Sequence, residues 1–440
     1  MQGIIGIFSI GGRCEWGKTF RSLLLLLIAS ALGPIVQAGD WPHFMGPNSN
    51  NTAPDKGINK GWQWNPPKEL WRVTMSDGGF AGPCIVGGKL FISDHNHKED
   101  HEIVRAIDVK TGKDIWQYKY PTTFKSWEWG FTASVPACDG KRVYTLDREG
   151  QLHCIDAEKG TRVWMRNLAK QVWTSPVIAG RSDFYTSPVI DGNNVIIIAG
   201  LPDAGVVAYD KETGADVWKA PGSGVAVFAT PTVAVLKGKR RCLFQSTEGL
   251  TCLDPDNGQL LWKLPIAGQN PVRITTPVAV GDNIFFSDSG AGGSYMVSSE
   301  GTLLWKVDDK VPPGGVLCAF NSPLYVDGFL YGGGHTYRGG GYYYEIPCLD
   351  AKTGNTMWKH VMLEGGGMVS VDGLLIGLHG DTGDVVLLKS NPKEYEELAR
   401  IRPFTGRVIS STAQCWTQPA VADGRLFIRN EKELVCIDLK

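Results

Sequence analysis

The chain has 440 residues, 42% of them hydrophobic and 20% charged, which is enough apolar material for a large core and excludes a disordered protein. Its formal net charge is −1 and no basic stripe runs along it, so binding to nucleic acid by phosphate neutralisation is not expected. The 55 glycines and 25 prolines point to a fold made of many turns.

In chain order, residues 1–38 read as an export signal: Arg13, Lys18 and Arg21 precede an apolar run from Leu23 to Leu32, and Val36-Gln37-Ala38 offers a small-x-small cleavage site. The run is short for a bilayer span, so the segment is either removed or kept as an anchor, and membrane contact is expected only if it is kept. An exported or envelope location follows. Residues 39–68 have no periodicity and read as an extended leader. Glu69 to Val73 then looks like the last strand of a repeat whose earlier strands are missing, and Leu434 to Lys440 supplies a strand that should precede it.

Between these ends one pattern recurs. Ala106-Ile107-Asp108 leads through Thr111-Gly112 to Trp116, and Ala208-Tyr209-Asp210 leads through Thr213-Gly214 to Trp218. Further copies end at Trp164, Trp262, Trp305 and Trp358, and Trp71 closes the split copy. Asp suits the entrance of a tight turn, Gly supplies the positive φ, and the Trp falls in the returning strand. Each repeat opens with Pro and alternating apolar residues, at Pro83, Pro136, Pro188, Pro231, Pro277, Pro323 and Pro419, with a copy lacking Pro near Met368. That gives eight openers. The seven tryptophans leave an eighth slot, which falls in Lys389 to Arg400. The expected fold is all-β: an eight-bladed propeller of four-stranded antiparallel blades over 69–440, closed by pairing the N- and C-terminal strands. The seven Trp residues are expected to stitch neighbouring blades together.

Of the ten cysteines, Cys154, Cys252, Cys348 and Cys436 occupy the slot that Ala106 and Ala208 fill elsewhere, which makes them small core residues rather than a disulfide framework. Cys242 and Cys252 flank one hairpin, and a bridge between them stays open.

The Ala-x-Asp-x-x-Thr-Gly-x-x-x-Trp pattern resembles the repeat of the pyrroloquinoline quinone (PQQ)-like propellers, which include quinoprotein alcohol dehydrogenases and the outer-membrane assembly propeller BamB. The leader Asp40-Trp41-Pro42-His43-Phe44-Met45-Gly46-Pro47 is similar to that of planctomycete-type exported members. The resemblance implies the fold over residues 69–440. It describes packing between blades, so it does not choose a function.

In such a blade the loop between strands two and three and the loop into the next blade share one face, and the Thr-Gly turns lie on the other. The expected ligand face carries Trp127, Glu128, Trp129, Tyr185, Arg273, Asn321, Trp416 and Gln418, aromatic and polar groups suited to a planar polar ligand. A channel mouth whose polar groups satisfy one another is the alternative. His95, His97, His335, His379 and Asp381 fall on the same face and are the metal candidates, although without the tight spacing of zinc sites.

Two functions are weighed: an exported, non-catalytic propeller that binds a protein or glycan of the cell envelope, and a PQQ- and Ca²⁺-dependent dehydrogenase. Against the second, the sequence has no vicinal Cys-Cys pair, no Cys-x-x-Cys-His and no long insert. Glu128 and Asn321 are the right residue types for Ca²⁺. No catalytic residue is assigned. The first function is preferred.

Overall fold

A computed structural model describes residues 39–440 except 123–132, 169–183, 202–203, 224–228, 247, 267–274, 289–292, 309–321, 339–340, 362–364, 381 and 405–414, and leaves out the side chains of 201, 204, 288, 308, 334–338, 341–344, 361 and 365. Among the described residues there is no helix, and thus none long and apolar enough to cross a membrane.

Eight antiparallel sheets follow one another. Blade 1 comprises Cys84–Val86, Lys89–Asn96, His101–Asp108 and Asp114–Pro121, hydrogen-bonded in that order. Blades 2 to 7 span 137–167, 189–220, 232–265, 278–308, 324–361 and 365–401. Blade 8 takes three strands from the C-terminus, Ala420–Ala422, Arg425–Arg429 and Glu433–Asp438, and its outermost from the N-terminal side, Glu69–Thr74. Trp71 lies opposite Cys436 and Arg72 opposite Val435, so the ring closes inside one sheet. The first strands of successive blades touch from blade 1 through to blade 8 and form the innermost layer. Blade 6 adds the short strand Gly334–Arg338 to its sheet.

The core lies between blades. Tyr144, Leu146 and Leu152 of blade 2 meet Val195, Ile197 and Val207 of blade 3 in one buried cluster, and the same arrangement recurs around the ring. Alternation along each strand sends one set of side chains to each neighbour. Cys242 and Cys252 illustrate this. Register places Cys242 against Leu253 and Cys252 against Leu243, so the two thiols face opposite sides of the sheet and join different clusters. No bridge forms between them; the eight described cysteines are all free and buried.

The repeated Trp does two things. Its indole N–H donates to a carbonyl in the next blade, at 2.7–3.1 Å in all seven copies: Trp71 to Val109, Trp116 to Ala157, Trp164 to Lys211, Trp218 to Pro255, Trp262 to Ser299, Trp305 to Ala351 and Trp358 to Asn391. In six copies its ring lies under the turn glycine of that next blade; Trp358 meets the edge of Tyr395 instead, centroids 5.9 Å apart. A Cβ on Gly160 would sit 2.6 Å from Trp116, and one on Gly258 2.4 Å from Trp218. The turn glycine is therefore fixed twice, by a φ near +70° and by the ring beneath it. The Asp at the turn entrance accepts the Thr backbone N–H and hydroxyl, at 2.8 and 2.8 Å for Asp108 with Thr111. Those bonds hold the Asp108 carboxyl below its ordinary range, with the Thr111 hydroxyl the largest cause.

Blade 7 has no such Trp. Ala399 stands opposite Leu387, where the bulge of the other blades places the indole. The reason is in blade 8, whose third and fourth strands, Glu433–Asp438 and Glu69–Thr74, are not joined by a turn, so no turn is there to cover a ring. The leader packs here instead: Asn59 N–H donates to Leu439 O at 2.6 Å, and Ile58 and Trp62 are buried in one cluster with Ile437 and Leu439, to which Leu398 and Ala399 add.

The leader is not a spacer. Asp40 accepts the N–H of Gly87 in the first turn of blade 1 at 3.0 Å, and Trp41 exchanges two backbone bonds with Ile85 of the innermost strand at 2.7 and 2.8 Å. Pro42 O takes Cys138 N–H of blade 2 at 2.8 Å. Across the ring, Asn51 O accepts Ser370 N–H of blade 7 at 2.8 Å, and Thr52–Ala53 pair in parallel with Ser370 and Val371. Gly57 N–H then reaches Asp372, and Asp55 takes Gly424 N–H, both in first turns. Residues 40–57 thus enter the channel from the face of the Thr-Gly turns, cross it and leave by the same face. Trp41, Met45 and Asn51 are wholly buried there.

Candidate functional site

With the turn face occupied by the leader, the opposite face carries the candidate site. Its frame is a belt formed by the residue preceding each repeat-opening Pro. Val135 N–H donates to the Ser187 hydroxyl at 3.0 Å, Ser187 N–H to the Thr230 hydroxyl at 3.0 Å, and Thr276 N–H to the Ser322 hydroxyl at 3.2 Å. The Thr276 hydroxyl donates to Thr230 O at 3.1 Å, which links blades 4 and 5. These hydroxyls satisfy buried amides that no strand can reach. In blades 7, 8 and 1 the belt residues are Gly367, Gln418 and Gly82. Gln418 donates to Met368 O at 2.6 Å, and a Cβ on Gly367 would lie 2.8 Å from its side-chain oxygen. The leader joins at Asn51, whose amide donates to Ser322 O at 3.3 Å.

Four oxygens at this level are buried and lack a hydrogen-bond partner: Asn51 Oδ1, Ser134 Oγ, Thr186 Oγ1 and Gln418 Oε1. Such groups are costly unless something occupies them. Beside Gln418 the Trp416 ring stacks on Phe80, centroids 5.2 Å apart and planes 29° off parallel, with both side chains only part-buried. Tyr185 lies under the Arg148 guanidinium, 4.7 Å from ring centre to Cζ, and its hydroxyl also bonds Arg148.

At the junction of blades 8 and 1 sits a buried arginine. Arg429 is fully buried and donates to Ser93 O at 2.8 Å, Asp77 O at 3.3 Å and Ala81 O at 3.4 Å. Burial pulls its pKa down to about 10, which leaves it charged at neutral pH. Nearby, Asp94 takes backbone N–H groups from Ser76 and His95 and pairs with Arg105 at 3.5 Å.

Of the expected ligand residues, Tyr185, Trp416 and Gln418 stand on this face; Trp127, Glu128, Trp129, Arg273 and Asn321 lie outside the described residues. The histidines take separate roles. His95 is the penultimate residue of a strand rather than part of a loop, and bonds Glu102 at 2.9 Å, both buried. His97 is exposed on Asp77 at 2.7 Å. His379 contacts Arg400 at 3.3 Å. The His335 side chain and Asp381 are outside the described residues. Among the described residues no group of three His, Cys, Asp or Glu gathers as metal ligands would. Two features escaped the sequence reading. The belt could have been found one residue before each opener, where Ser187, Thr230, Thr276 and Ser322 recur; Arg429, inside a strand, gave no signal.

PQQ is an anionic tricarboxylate that needs cationic donors and a metal. The described residues meet it with neutral amide and hydroxyl oxygens and with two guanidiniums that already have partners, Arg148 on Tyr185 and Arg429 on three carbonyls. The described part of the site does not fit that cofactor.

A family model described as outer membrane protein assembly factor BamB matches residues 100–360. A protein of that name from Burkholderia pseudomallei is 24% identical over 276 residues, covering 55% of this chain and 69% of its own length. Two solved structures share the fold at 15% identity. Quinohemoprotein alcohol dehydrogenase from Comamonas testosteroni has a TM-score of 0.68 over 94% of this chain and 82% of that one. BamB from Moraxella catarrhalis has a TM-score of 0.60 over 84% and 99%.

Proposed function

Starting from a chain that belongs to the family of outer membrane protein assembly factor BamB, we propose that it is an exported, non-catalytic binding propeller of the cell envelope that engages a protein or glycan through the face opposite the Thr-Gly turns. The observation that carries this reading is the leader's course. By filling the channel from the turn face, residues 40–57 make one face structural and leave the other for recognition. Supporting it, the described guanidiniums of this face, Arg148 and Arg429, are already engaged by Tyr185 and by three carbonyls, and the sequence lacks the vicinal cysteines of the quinoprotein dehydrogenases.

The test has two arms. Purified protein is given PQQ, Ca²⁺ and simple alcohols and assayed for dye reduction; no turnover is expected, and alcohol-dependent reduction would replace this reading with the dehydrogenase one. In parallel, a photoreactive residue is placed at Tyr185 or, on the turn face, at Thr111, in cells that make the protein. Cross-links to envelope components from position 185 and none from 111 are expected. The reverse pattern, or a cytosolic protein on fractionation, defeats the proposal.

A further inference from the structure

We infer that Cys84 and Cys138 are the site of a disulfide that ties blade 1 to blade 2 once the chain is exported. The inference rests on the reading of this chain as an exported protein and adds a covalent site to it.

Three observations bring the two residues together. The first is direction. Cys84 stands opposite Phe91, and Phe91 opposite Ala106, on the side of blade 1 that meets blade 2. Cys138 stands opposite Val143, and Val143 opposite Ile155, on the side of blade 2 that meets blade 1. Both side chains therefore enter one buried cluster from opposite walls. Cys242 and Cys252, on a single hairpin, fail this condition because they face opposite sides. The second is contact. The Pro42 carbonyl accepts the Cys84 thiol at 3.1 Å and the Cys138 N–H at 2.8 Å, so one oxygen holds the sulfur of one residue beside the backbone of the other. The third is setting. Cys84–Val86 and Ala137–Cys138 are the innermost strands of neighbouring blades; they touch, and no backbone ladder joins them.

Both residues are thiols in the structure, 0% and 2% exposed, with the leader laid against them at Pro42. Burial pushes the Cys138 thiol up to about 12 and raises Cys84 as well. The thiolate is the reacting form, so the pair is inert in the finished ring and reacts before the leader settles. One thiolate attacks a disulfide donor of the oxidising compartment, and the second then displaces the donor from the mixed disulfide. One S–S bond forms and the donor's breaks, and the donor leaves as two thiols with both electrons and both protons. The Pro42 carbonyl then loses the Cys84 S–H and keeps the Cys138 N–H. The Cys138 sulfur can still accept the Gly140 N–H, now at 3.3 Å.

Full-length protein is recovered from the exported fraction of cells, its free thiols are alkylated in denaturant, and it is digested with trypsin without reduction. Fragments 73–89 and 126–141 carry one cysteine each, so a linked pair identifies the bond. That pair is expected in most molecules. Protein reduced in denaturant and refolded with reductant should melt about 5 °C lower, the effect of opening a loop of this length. Cys84→Ser and Cys138→Ser should each abolish the linked pair, and Cys242→Ser should keep it. A second arm needs no variant: reduced protein refolded from urea with oxidised glutathione is expected to form the bond, and folded reduced protein to react at least tenfold more slowly. Alkylated Cys84 and Cys138 in the exported protein, or refolding that yields no linked pair, overturns this inference alone. Protein found only in the cytosol on fractionation removes the reading beneath it as well.

Discussion

The junctions between ordinary blades and the seam around blades 7, 8 and 1 solve the same problem differently. At an ordinary junction one indole donates to a carbonyl and lies under a glycine, as Trp218 does with Pro255 and Gly258. The whole device is encoded in a dozen contiguous residues of one repeat and the turn of the next. At the seam the work is divided: between blades 7 and 8 the indole is replaced by Ala399 and the leader packs in its stead, whereas between blades 8 and 1 Trp71 keeps its bond to Val109 and Arg429 adds three more. Regular stitching depends on an unbroken turn, and where the chain must begin and end, long-range contacts substitute for local ones.

The largest test of that difference removes the seam's strand. Deleting Glu433 to Lys440 takes away the neighbour of Glu69–Thr74 and the partner of Asn59, and the protein is expected to lose its cooperative unfolding transition altogether in urea. A variant that unfolds like the full chain would show that closure contributes little. Next is Trp218→Ala, an ordinary junction, expected to cost about 3–5 kcal/mol by denaturant unfolding. Arg429→Met should cost about 3 kcal/mol, since it leaves several carbonyls of the seam without a donor at 1–3 kcal/mol each. A smaller loss at Arg429 than at Trp218 is the expected ranking, and the opposite would make the seam the stronger joint.

The smallest effect is a pH slope. His153 packs between blades 1 and 2, stacked on Tyr120 at 4.1 Å with its Nδ1 3.1 Å from the Tyr118 hydroxyl. Burial pulls its pKa down to about 3. The unfolded chain binds a proton near its ordinary value of about 6.5, so its contribution is fully present above that pH. It is lost as pH falls from about 6.5 towards 3. His153→Phe should flatten the melting-temperature profile over that interval, whatever it does at pH 8. An unchanged slope would assign the acid sensitivity to other groups.

Much of the fold was legible because it is local and repeated. Asp108, Gly112 and Trp116 announce a turn and a joint within nine residues, and the broken copies at Trp71 and Cys436 disclosed the closure. Even the missing indole was placed correctly, within Lys389 to Arg400, although why it is missing needed the geometry of blade 8. The leader could not be read. Trp41, Asn51 and Asn59 carry no periodicity, because each answers to a different blade far away in the chain. The same holds for Arg429, whose partners Asp77, Ala81 and Ser93 lie more than three hundred residues earlier. At the site, Tyr185, Trp416 and Gln418 were anticipated as part of one face. The belt of hydroxyls is hard to read from the sequence because the residue before each opener varies, from Ser187, Thr230, Thr276 and Ser322 to Val135, Gln418, Gly82 and Gly367.

The course of the leader also sets an order of assembly. Residues 40–57 emerge early in synthesis, yet their partners Ser370, Asp372 and Gly424 come near the end. Residues 40–42 meet Gly87, Ile85 and Cys138 of blades 1 and 2 early, but residues 51–57 must wait, unsatisfied, until six blades have been made. A chaperone that shields residues 51–57 while the blades are being made would suit this protein better than one that acts on the finished domain.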